Sequence, residues 1–103
     1  MADPGSSDVG QVDRLVHEPA RMGILTVLQR IESADFLFLQ NVLGVTKGNL
    51  SSHLAKLEAG GLVTITKSFV GKKPHTSVGL TPQGRAAITR HWEQLERLRN
   101  LGS

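Results

Sequence analysis

Apolar residues recur at three- and four-residue steps from Val12 to Ile31, where Leu15, Val16, Met22, Ile24, Leu25, Val27, Leu28 and Ile31 mark helix packed along one side. Pro19 divides this stretch. It disfavours helical geometry at Glu18 and itself suits a first helical turn, so the pattern predicts a short helix and then a longer one from about Pro19 to Arg30. Ser33, Ala34 and Asp35 read as a short extended link, with Asp35 placed to cap a helix from Phe36 to near Gly44. Phe36, Leu39 and Leu43 share its buried face. Phe38 and Val42 fall elsewhere and are expected against the first helices or a partner chain. Thr46 is the next N-cap, its hydroxyl set for the amide of Gly48 or Asn49. The helix behind it carries Leu50, Leu54 and Leu57 as its buried stripe and ends near Ala59, at Gly60 and Gly61.

From Val63 the period changes to two. Val63, Ile65, Lys67 and Phe69 point one way, and Thr64, Thr66 and Ser68 the other, which is a strand. Gly71 to Pro74 is turn chemistry and Thr76 to Leu80 returns as a second strand, giving a hairpin with Lys72 and Lys73 at its tip. Thr81 and Pro82 then start a last helix over 82–98, although Gly84 leaves the capping box incomplete. Residues 1–11, rich in Gly, Ser, Pro and Asp, are expected to form a disordered tail, 12–99 the folded domain and 100–103 a C-terminal tail.

A length of 103 residues with 39% hydrophobic and 20% charged residues suits one compact core and leaves no room for a cleft between two domains. The absence of Cys removes disulfides, thiolate metal sites and cysteine nucleophiles together. The longest aliphatic or aromatic run, Phe36 to Leu39, is too short to cross a bilayer, and the start of the chain carries acids, so a soluble cytoplasmic protein without membrane contact is expected. Charge is unevenly placed. Residues 1–40 carry six acids and three bases, whereas residues 41–80 carry Lys47, Lys56, Lys67, Lys72 and Lys73 against Glu58 alone. A concentrated basic segment suits a polyanionic partner, because each neutralised phosphate releases counterions.

Two helices joined by the short turn Gly44 to Thr46, then a basic hairpin and a last helix, form the order of a winged helix-turn-helix. The expected fold is mainly α (α+β), with a helical N-terminal part, a two-stranded β wing and a C-terminal dimerisation helix. The stretch from Thr46 to Val63, with Ser51, His53, Leu54, Leu57, Glu58 and Gly61-Leu62-Val63, resembles the recognition helix and strand entry of ArsR and MarR transcriptional regulators. Leu80-Thr81-Pro82-Gln83-Gly84-Arg85 is similar to their junction between strand and last helix. That resemblance implies a homodimeric DNA-binding repressor or activator that responds to a small effector.

The helical arrangement of side chains supports this without the likeness. At 100° per residue, Leu50, Leu54 and Leu57 cluster together, while Gly48, Ser52, Ala55 and Ala59 lie opposite, flanked by Asn49, Ser51 and Lys56. A small, polar outer face permits close approach to a major groove. Thr46, Lys47, Asn49, Ser51, Ser52 and Lys56 are therefore candidate contacts to double-stranded DNA, with Lys72, Lys73 and His75 on the hairpin as candidates for a minor groove or its phosphates. Lys67 can lie on either side of its strand. The last helix carries Ile88, His91, Trp92, Leu95 and Leu98 at three- and four-residue steps, a stripe longer than one small domain needs, so these residues are expected at a homodimer interface.

No catalytic motif appears, and the expected protein is not an enzyme. His17, His53, His75 and His91 are scattered over separate elements without the spacing of a zinc ligand set, and neither metal nor cofactor is expected. The competing reading is a winged-helix module that docks other proteins and leaves its basic face unused for reading sequence.

Overall fold

The computed structural model describes residues 4–102, with side chains from Gly10 onward. In order, the elements are α1 (Pro4–Val16), α2 (Pro19–Arg30), β1 (Ala34–Asp35), α3 (Phe36–Leu43), α4 (Lys47–Ala59), β2 (Val63–Val70), β3 (Lys73–Leu80) and α5 (Pro82–Leu101).

Short-range chemistry sets most of these boundaries. The Glu18 carboxylate caps α2 by accepting from the backbone amides of Ala20 at 2.7 Å and Arg21 at 3.3 Å, with Pro19 in the first turn. Asp35 accepts from the amide of Phe38 at 2.7 Å to start α3, and Gly44, at φ 66°, ends that helix in the left-handed region that a side chain would disfavour. At the end of α4 the amide of Leu62 donates to the Leu57 carbonyl and that of Gly61 to the Glu58 carbonyl, the paired bonds of a Schellman motif.

The sheet has three strands in the order β1-β3-β2, all antiparallel. The hairpin register runs from Val63 opposite Leu80 to Val70 opposite Lys73, so only Gly71 and Lys72 form the turn. Lys73 and Pro74, expected in the turn, belong to β3. Pro74 is tolerated there because β1 reaches only Ser77 and Val78, leaving β3 with a single neighbour at that point. The expected two-stranded wing is thereby extended by β1, whose Ala34 is buried opposite Val78.

Two segment boundaries differ from the sequence reading. The helix α1 begins at Pro4, within the segment expected to be a disordered tail, and Pro suits a first helical position. The helix α5 continues through the expected end at Leu98 to Leu101, and Gly102 caps it.

Beneath the sheet and helices lies one core. Ile24, Leu25 and Leu28 of α2, Leu39 of α3, Leu50, Leu54 and Leu57 of α4, Leu62 and Val63, Val78, and Ala87 and Ile88 of α5 are buried together. Each element thus contributes its apolar stripe to the same interior, which fixes α4 leucine-side inward and holds its opposite face toward solvent. Phe38 and Val42 are exposed and are not covered by the first helices.

Candidate nucleic-acid interface

The second helix of the helix-turn-helix is α4, and its first turn is tied down by the Thr46 hydroxyl, which accepts from the amide of Asn49 at 3.1 Å. With the leucine stripe buried, Thr46, Lys47, Asn49, Ser51, Ser52, Ala55 and Lys56 are all exposed, Lys47, Ser51 and Ala55 on the side toward the hairpin and Asn49, Ser52 and Lys56 outside it. His53 sits on its flank and is half-buried. Its Nδ1 lies 3.2 Å from Glu18 Oε2 and 3.4 Å from Arg21 Nη1, so a polar contact joins α4 to the start of α2.

A groove of about 900 Å³ opens between α3, α4 and the hairpin, bordered by Lys47 and Ser51 on one side and Lys67 and His75 on the other. Leu37 and Glu58 also border it. Lys67 shares the parity of half-buried Ile65 along β2, which settles its direction: it faces the groove beside α4. Neither Leu37 nor Lys67 was singled out from sequence as a site residue, yet alternation along β2 carried the signal for the lysine. Lys72 occupies the turn, and Lys73 follows at the start of β3, so both stand at the far end of the hairpin, exposed and away from the groove that Lys47, Ser51 and Lys67 share.

The stripe on α5 divides in two. Ile88 and His91, expected at a partner interface, are covered by the domain's own chain, together with Gly84 and Ala87. The reason is geometric: these positions lie on the arc of α5 that meets α1, α2 and β3, where the core already needs them. Trp92, Leu95 and Leu98 remain exposed and are joined by Leu101 farther along. The Trp92 indole donates to the Thr26 hydroxyl at 3.1 Å. Inside, the His91 ring meets that of His17 edge to face at 4.7 Å, and its Nε2 is buried without a hydrogen-bond partner among the described residues. Burial, reinforced by the neighbouring His17 and opposed by Asp13, lowers the His91 pKa from its ordinary value.

Among the described residues no group of three or more His, Asp or Glu is placed to hold a metal ion, and no helix is long and apolar enough to cross a membrane.

A helix with an exposed small and polar face, supported by a second helix and flanked by a basic hairpin, defines a winged helix-turn-helix protein. The chain belongs to the winged helix DNA-binding domain family, whose model matches residues 20–99. An uncharacterized protein of Methanocaldococcus jannaschii is 33% identical over 89 residues, spanning 85% of this chain and 97% of that one. A transcriptional regulator homologue from Pyrococcus horikoshii OT3 superposes with a TM-score of 0.79 at 30% identity, covering 91% of this chain and 95% of its own. The fold is also that of solved MarR and ArsR family regulators. The MarR family protein from Enterococcus faecalis superposes with a TM-score of 0.75 over all of this chain and 96% of its own, at 20% identity, a likeness of fold alone. Family and fold are those of DNA-binding transcriptional regulators.

Proposed function

We propose that this chain is a transcriptional regulator that reads a specific double-stranded DNA sequence as a homodimer, with α4 in the major groove and the wing of β2 and β3 on the neighbouring minor groove. The observation that carries this is the division of α4: three leucines are buried, the face opposite presents the small residues Gly48, Ser52, Ala55 and Ala59, and exposed Asn49, Ser51 and Lys56 flank it, with Lys47 at the groove edge. Lysines at α4 and the wing supply phosphate contacts, while serine and asparagine supply hydrogen bonds to phosphates or base edges. Trp92, Leu95 and Leu98 form an exposed apolar stripe that a second copy would cover, and two-fold symmetry would set the two α4 helices about 34 Å apart, one turn of duplex.

The test is the salt dependence of binding to duplexes selected from a random pool. The wild-type protein is expected to select palindromic sites and to lose affinity steeply as salt rises. Replacing Lys72 and Lys73 with Ala should reduce the slope of log affinity against log salt by about one for each phosphate that is no longer neutralised. A slope indifferent to both changes, or a pool from which nothing is enriched, would favour the reading as a protein-docking module.

A further inference from the structure

Phe69 is 73% exposed and Val70 65% exposed, immediately before the two-residue turn at the end of the wing. The register explains where the ring stands. Phe69 pairs with Pro74 and shares the face of Lys67 and Ile65, so it continues the side of β2 that borders α4, but two residues beyond Lys67 and clear of the core. Folding of the domain therefore does not account for an aromatic residue here. The hairpin from Val63 to Leu80 contains Lys67, Lys72 and Lys73 and no Asp or Glu; Lys67 shares the ring's face two residues back, Lys72 lies in the turn and Lys73 pairs with Val70 on the other face, so the ring sits on a tip whose charged side chains are all cationic.

An apolar tip within a positive rim has a definite chemical match. Phosphates satisfy the lysines and offer nothing to a phenyl ring, whereas the floor of a minor groove offers base edges and stacked faces between which such a ring can be driven. The energetic resistance to that insertion is smallest at pyrimidine–purine steps, which unstack and kink readily.

The geometry points to Phe69 as an apolar wedge that enters the minor groove at a flexible pyrimidine–purine step, so that the wing selects DNA by deformability. This rests on the DNA-binding reading above and adds a specificity-determining residue to it. The continuity of the wing with the α4 surface and the charge of its rim identify duplex DNA as the occupant.

The experiment uses the full chain and a pool-selected duplex carrying 2-aminopurine at the purine of the wing-contacted step. Wild-type protein is expected to raise 2-aminopurine fluorescence as the base unstacks. Phe69→Ala should bind about tenfold more weakly, with the fluorescence rise abolished and the salt slope unchanged, while Phe69→Leu keeps most of both signals. Selection with Phe69→Ala should retain the palindromic half-sites and show no enrichment of TA and CA steps beneath the wing. Thermal melting is expected to be the same for all three proteins, since the ring is exposed. If the wild-type protein binds but Phe69→Ala matches it in affinity, or weakens with the fluorescence rise intact, the wedge is overturned while DNA binding stands. If the wild-type protein binds no duplex at low salt, both readings fall.

Discussion

A Cβ built on Gly84 would run into the carbonyl of Leu62, so the first turn of α5 reaches its place only because that position has no side chain. Backbone cannot move aside as the end of a flexible side chain can. Gly84→Ala is accordingly expected to lower stability by about 2–3 kcal/mol in urea denaturation, although alanine is the better helix former. At His91 the decisive property is a proton. Its lowered pKa means that the unfolded chain binds a proton more readily than the folded one. Stability is therefore fully present above the ordinary imidazole value of 6.5 and declines as pH falls from there through the lowered folded value. His17, Asp13 and Arg90 face the same junction of α1 and α5, with Arg90 paired to Asp13 at 2.7 Å. Thermal melts of the wild type and His91→Gln between about pH 5 and pH 7.5, roughly two and a half units spanning the ordinary imidazole value, should show the decline in the first and a shallower one in the second.

Among the elements, α4 depends on one hydroxyl for its start. Thr46→Ala removes the acceptor for the Asn49 amide and is expected to cost roughly 1 kcal/mol, with Thr46→Ser restoring most of it in the same denaturation assay. That cap was legible in the sequence, as were those at Asp35 and Thr81, because a short polar side chain before an apolar periodic run has little else to do. The inward leucines of α4 were legible for the same reason: their spacing leaves a single helical face. Two elements escaped. The strand β1 is two residues long, too short to display a period, and exists through its pairing with β3. The early turns of α1 contain Gly and Ser, which composition alone assigns to irregular chain. Along α5, periodicity revealed the apolar stripe and could not reveal what covers it. Ile88 and His91 differ from Leu95 and Leu98 in whether their own domain reaches them, a property of the tertiary arrangement.

The whole molecule is 51 Å in its longest dimension, and α5, with 20 residues, is a helix of about 30 Å. Its outer half carries apolar residues with no core to join. In the homodimer proposed above that surface would receive the second copy, and Leu95→Glu combined with Leu98→Glu is expected to give a monomer by light scattering, with a melting temperature close to the wild type's. The same variant should bind a palindromic duplex at least tenfold more weakly, because two half-sites are no longer engaged by one particle. A double variant that remains dimeric would place the contact between copies elsewhere.

Thr81 gives these scales a common joint. Its hydroxyl donates to the Gly61 carbonyl at 2.6 Å and accepts from the Gly84 amide at 2.9 Å, while its own amide holds the Leu62 carbonyl at 3.1 Å. Thr81 thus rivets the base of the long terminal helix to the elbow where α4 turns into the wing. Any tilt imposed on that helix from outside must either pivot this elbow with it or shear both bonds to the Gly61 and Leu62 carbonyls, so a disturbance at the far end is expected to reach α4 and the wing as a change of angle.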